Sequence, residues 1–266
     1  MMQRLEYRNV TMRFAEAGGG RGLLATNDVS FSIYDGEVVA LIGPSGCGKS
    51  TLLNIGAGLY PPTSGQAFVD GGLVQGPNRH VAFMLQKDLL LPWRTVAENV
   101  MLGVEIQGQS RRECLRRAED LLGGFQLSDF RNHYPHQLSG GMRQRVALAR
   151  TLAVEPSVLL LDEPFSAVDA QTRILLQRDL AQTLERAGKT ALLITHDLLE
   201  AVVLSDRVLV MSRRPGRIID EIAIALSHRN DPLLRRRDDR IAAYVARLMQ
   251  LLEIGPPLPT EAPPPA

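Results

Sequence analysis

Lysine occurs only three times in this 266-residue chain, and one of the three, Lys49, stands where a phosphate-binding loop demands it. The run GPSGCGKS, Gly43 to Ser50, has the spacing G-x-x-x-x-G-K-[ST]. Glycines at Gly43, Gly46 and Gly48, with Pro44, Ser45 and Cys47 between them, let successive backbone N–H groups converge on a phosphate at the start of a helix. Lys49 can then reach the β- and γ-phosphates and Ser50 can put its hydroxyl on Mg²⁺, with Thr51 in reach as a further phosphate contact. Asp162 closes the apolar run VLLL, where a carboxylate is costly without a partner, and Mg²⁺ is the partner expected. Glu163 follows and faces elsewhere, which suits a base that polarises attacking water. Nucleotide binding with phosphoryl chemistry is the expectation.

These groups need elements to hold them. Strand-like runs occur at Glu6 to Arg13, Val29 to Tyr34 and Glu37 to Ile42. The last leads straight into the glycine loop, and KSTLLNIGAGL after it reads as a helix, the context that the phosphate motif requires. Short strand candidates follow at Gln66 to Val69 and His80 to Met84. From Thr95 to about Arg150 the pattern is helical, opened by the Thr-x-x-Glu spacing of Thr95 and Glu98. Strand and helix then alternate: VLLL, a helix from about Gln171 to Ala187, ALLIT, a short helix, and RVLVM. That alternation predicts a largely parallel α/β core. Ile241, Tyr244, Val245, Leu248, Leu251 and Leu252 make a final amphipathic helix. AGGGRG (Ala17 to Gly22) reads as a flexible connection, and the proline-rich stretch from Gly255 as a disordered tail.

Composition bounds the partners. A net charge of +1 gives no reason to expect nucleic acid. The longest apolar runs are too short to span a bilayer, and MMQRLEYRNV has no signal-peptide core, so the chain is expected in the cytoplasm. Cys47 and Cys114 are expected to remain reduced. Cys47 is either a small residue at a variable loop position or a thiol activated by the loop's dipoles. Trp93, the single tryptophan, either packs in the core or lines a docking groove. The segment Arg229 to Arg240 reads as a solvated helix face.

With LSGGMRQR (Leu138 to Arg145) added to these motifs, the chain from Leu5 to about Glu253 resembles the ATPase subunits of ABC transporters. LPWRTV around Trp93 and the stretch Ser212 to Leu226 resemble the branch that imports nitrate, taurine and aliphatic sulfonates. The resemblance implies a P-loop NTPase domain over residues 1–253: a largely parallel core sheet, an antiparallel β subdomain, a helical signature subdomain near 95–150 and a C-terminal extension near 227–253. It implies a head-to-tail homodimer sandwiching two ATPs with Mg²⁺. Ser139, Gly140 and Gly141 would contact the γ-phosphate in trans; read alone, they are a polar helix cap. Gln86 would be the glutamine that senses γ-phosphate and metal, and His196 the switch histidine. Asp169, in SAVD, would be the interface aspartate, with Val168 where leucine is commoner. Phe14 would stack on adenine, with Tyr7 as its rival. Integral membrane permease subunits at the cytoplasmic face of the inner membrane would be partners, and an external substrate-binding protein an indirect one. The alternatives are a non-transport ABC ATPase, such as an iron–sulfur cluster assembly factor, or a lipid or export ATPase.

Overall fold

The computed structural model describes residues 2–15 and 22–254. The glycine-rich connection, except for Gly22, and the proline-rich tail lie outside the described residues. Two sheets form the frame. β1 (Gln3–Phe14), β2 (Leu23–Tyr34), β4 (Ser64–Val69) and β5 (Gly72–Leu73) make an antiparallel sheet in the order β2-β1-β4-β5. The second sheet has six strands. They are β10 (Ile218–Ala223), β9 (Arg207–Met211), β3 (Val38–Ile42), β8 (Thr190–Ile194), β7 (Val158–Asp162) and β6 (Val81–Met84), in that spatial order. From β9 to β6 all pairings are parallel; β10 alone runs antiparallel at the edge. The predicted parallel core is therefore present. The alternation does not announce β10, because IIDEIA keeps only one half-buried face and carries two acids.

Alternate residues of β3 supply two different cores. Val39 and Leu41 pack with Leu52 and Leu53 of α1 (Lys49–Gly56) and with Leu5, Tyr7 and Val10 of the antiparallel sheet. Ala40 and Ile42 face the other way, against Ala201 and Val202 of α6 (Leu198–Leu204) and Leu248 of α8 (Ile241–Leu251). Val38 joins the core shared with α2 (Val96–Ile106), α3 (Arg111–Gly124), α4 (Gly140–Ala153) and α5 (Ala170–Arg186). The Thr95–Glu98 pair closes as a reciprocal capping box at the start of α2.

Two expectations need correction. Trp93 is not core: it is 71% exposed, on a turn held from below by Asn99. That buried amide donates to the carbonyls of Leu91, Arg94 and Thr95 and accepts from the Leu91 N–H. The arginine-rich segment is not simply a solvated face either. In α7 (Pro232–Arg235), Arg235 is buried, and its guanidinium donates to the carbonyls of Val202, Val203, Ser205 and Leu226. It thereby satisfies carbonyls at the C-terminal end of α6 that no helical N–H reaches.

Candidate functional site

The loop between β3 and α1 is shaped by backbone conformations that glycine adopts freely. Gly46 and Gly48 have φ of +75° and +105°. A Cβ on Gly48 would lie 2.6 Å from the Thr26 methyl, so the loop also rests directly on β2. Gly48 caps α1 without a side-chain bond, leaving the first-turn N–H groups turned outward. Lys49, 8% exposed, donates from Nζ to the carbonyls of Gly43 (2.7 Å) and Pro44 (3.1 Å). A cleft of about 280 Å³ opens over this loop, lined by Ser45, Lys49, Ser50 and Thr51 and also by Phe14 and Ala25. Cys47 does not line it: the residue is 1% exposed, packed in the core beneath β3 with its Sγ 3.8 Å from Lys49 Nζ.

The end of β7 brings in the acids. Burial pushes the Asp162 carboxyl above its ordinary range, opposed by the Ser50 hydroxyl that donates to it. Glu163 follows at φ +46°, a left-handed conformation unusual for a residue with a side chain. Its carboxylate accepts from Gln86 Nε2 at 3.0 Å and lies 3.3 Å from His196 Nδ1. The three side chains come from the ends of β6, β7 and β8, neighbours in the parallel sheet. Loops at the carboxyl ends of such strands are where ligands of open α/β sheets gather.

The aromatic pair is resolved. Tyr7 is 1% exposed, its hydroxyl donates to the Leu52 carbonyl at 2.8 Å, and its ring packs on Phe31. It cannot face a ligand. Phe14 is half-buried on the cleft and meets Tyr60 edge-on at 6.2 Å.

Ser139, Gly140, Gly141 and Asp169 do not line this cleft. Ser139 caps α4, accepting from the Met142 N–H, and Asp169 caps α5, accepting from Gln171 and Thr172. A hydrogen bond from the Thr172 side chain, together with those from the two N–H groups, holds the Asp169 carboxyl below the usual range. Gly141 lies against Thr172, so the two caps adjoin.

Several site residues escape sequence reasoning. Buried Gln144 of α4 donates to the Pro164 carbonyl, tying the signature helix to the turn after Glu163. Arg143 pairs with Asp88 at 3.0 Å, and Arg150 donates to the carbonyls of Asp88 and Leu89, so α4 also holds the loop that carries Gln86. Glu200 is buried behind His196, bonded by Thr195 and Gln177, and burial raises its carboxyl to about 7. Arg214, far along the chain, lines the cleft. Gln144, Arg143 and Arg150 lie within or just after the signature run and were open to suspicion; Glu200 and Arg214 carry no local signal.

The ABC transporter family model matches residues 26–166. An uncharacterized ABC transporter ATP-binding protein of Methanocaldococcus jannaschii is 44% identical over 253 residues, covering 95% of this chain and 92% of that one. A taurine import ATP-binding protein of Burkholderia pseudomallei is 45% identical over 228 residues, covering 86% of this chain and 87% of that one. Among solved structures, a dimeric ATP-binding cassette bound to ADP and Pi in a post-hydrolysis state superposes with a TM-score of 0.73 at 33% identity, covering 83% of this chain and 98% of that chain. Sheet order, cleft and likenesses agree: the chain belongs to the ABC transporter family, as one of its ATP-binding, ATP-hydrolysing subunits.

Proposed function

We propose that the chain drives an importer of small anions, of the nitrate, taurine or aliphatic sulfonate kind, by hydrolysing ATP at the interface of a head-to-tail homodimer. The loop N–H groups and Lys49 would draw in the phosphates, and Phe14, which also lines the cleft, would give the adenine an aromatic face. Asp162 fits a divalent cation: it is a half-buried carboxylate beside a second carboxylate, and Ser50 donates to it. Ser50, Asp162 and Gln86 would hold Mg²⁺ together with phosphate oxygens. When bound, the ion neutralises charge on the phosphates. Glu163, oriented by Gln86 and His196, is placed to take a proton from water, while His196 and Lys49 face the charge that develops. Ser139, Gly140 and Gly141 of a second copy would close the site, with Asp169 at the same contact.

The observation that carries the transport reading is Trp93. It stands 71% exposed, with Leu89 at 52% and Leu85 at 40% on the same segment, which also bears Gln86. An apolar shelf attached to the residue that touches Glu163 suits a permease helix, and with such a partner the chain would sit at the cytoplasmic face of the membrane. No helix of the described residues is long and apolar enough to cross a membrane. The relatives named for taurine import favour a small anion as cargo. The test is a mild-detergent pull-down from native membranes with wild type and Trp93→Ala. Wild type is expected to recover a polytopic permease and the variant at least about tenfold less, with ATP affinity unchanged. Recovery of soluble partners alone would favour the assembly-factor alternative.

A further inference from the structure

The turn between β9 and β10 is clamped onto the phosphate loop. The Gly216 N–H donates to the Ala25 carbonyl and the Gly216 carbonyl accepts from the Asn27 N–H, both at 2.9 Å, so the turn adds a short parallel bridge to β2. A Cβ on Gly216 would collide with the Cys47 carbonyl; only glycine lets the turn lie this close. Ser212 closes the turn internally, donating from its hydroxyl to the Pro215 carbonyl and accepting from the Arg217 N–H. The turn is thus rigid before any ligand arrives.

Its product is the placement of Arg214. Nε donates to the Gly46 carbonyl at 3.0 Å, and Nη2 lies so near that a Cβ on Gly46 would sit 2.8 Å from it. Among the described residues no carboxylate pairs with Arg214, whereas its neighbour Arg213 turns away to Glu253. Among the described residues, Lys49 and Arg214 are the two cations that line the cleft. A nucleoside triphosphate brings several negative charges, and a planar guanidinium offers parallel N–H donors that match phosphate oxygens better than an ammonium does. With Nε engaged on the loop, the Nη edge remains to meet the ligand.

We propose that Arg214 is a phosphate-contacting residue of the ATP site, a second cation supplied from outside the phosphate-loop motif and preorganised by the clamped turn. The proposal rests on the reading of this cleft as the nucleotide site. It is tested by titrating wild type, Arg214→Gln, Arg214→Lys and Lys49→Ala with ATP, ADP and AMP, each with Mg²⁺, at low and high salt. Arg214→Gln keeps an N–H for the Gly46 carbonyl but loses the charge. It is expected to weaken ATP about tenfold, ADP less and AMP hardly at all, with a shallower salt dependence than wild type. Arg214→Lys keeps the charge but loses the parallel donors, and is expected to fall between wild type and Arg214→Gln, about threefold weaker for ATP than wild type. Losses equal across the three nucleotides, or ATP affinity within twofold of wild type in Arg214→Gln, would overturn the proposal. Unchanged ATP binding in Lys49→Ala would instead indict the cleft itself. A second measurement needs no variant: phenylglyoxal modification of Arg214, followed by peptide mass spectrometry, should be blocked by ATP but not by adenosine. Equal modification with and without ATP would also refute the contact.

Discussion

Two helices of this chain begin with serine and glycine, and they begin in opposite ways. At α1 the cap is Gly48, which makes no side-chain bond, so the first-turn donors stay open; Lys49 and the Ser50–Asp162 pair stand beside them. At α4 the cap is Ser139, whose own oxygen accepts from Met142, and beside it Gly140 has nothing nearer than 3.9 Å to an added Cβ. One start is a nearly assembled anion site; the other is a capped helix with an open shoulder. The lesson is that the same local chemistry makes an open anion site or a closed helix cap, depending on what the sheet delivers beside it. The strand ends deliver two acids, a glutamine and a histidine to α1. Beside the start of α4 lies the start of α5, whose cap, Asp169, is already bonded.

That contrast is sharpest for Glu163→Gln. Turnover should fall by a hundredfold or more, roughly the loss of a general base. ATP affinity should stay within a few-fold and a dimer should accumulate, read by phosphate release and size-exclusion chromatography. Normal steady-state hydrolysis would remove Glu163 from its role. Ser139→Arg probes the other start. Turnover is expected to drop by about tenfold or more, a loss of positioning at the half-site, while a single chain binds ATP within about twofold of wild type. Full activity in that variant would leave Ser139 as a helix cap and nothing else. The smallest effect concerns how firmly α6, which follows His196, is held. Burial keeps Glu200 protonated up to about pH 7 in the folded chain, whereas the unfolded carboxyl titrates at its ordinary lower value. The folded state therefore binds more protons between those values. Stability should fall as pH rises through that window, by at most about 3 kcal/mol, and level off above it. Glu200→Gln should lack this slope, which urea midpoints from pH 5 to 8 would show; parallel profiles for the two proteins would contradict it.

What could be read in advance follows the range of the interactions. The phosphate loop, the acids after VLLL and the Thr95 capping box are contiguous patterns, each made by residues within one turn or one strand end, and all are found in place. Alternation announced a parallel sheet but not that β6, β7 and β8 are neighbours, and that adjacency is what gathers Gln86, Glu163 and His196. Tyr7 and Phe14 looked equivalent as aromatics of one strand; only the packing of Tyr7 against Phe31 and Leu52 separates them. Trp93 was undecided for the same reason, since its exposure depends on an amide that folds the turn from below. Arg214 and Arg235 were out of reach because each acts on backbone carbonyls distant in sequence, a partnership that leaves no trace in residue type or spacing.

Arg235 has one more implication, for modularity. ABC ATPases invite treatment as interchangeable cassettes with accessory ends. Here a single guanidinium from α7 gathers carbonyls of Val202, Val203 and Ser205 at the close of the helix that starts two residues after His196, together with Leu226. The segment beyond the core sheet is a keystone and not an appendage. A chimera joined at Leu226 would inherit His196 just ahead of a helix whose far end had lost its anchor, so the natural seam for exchange lies beyond α8.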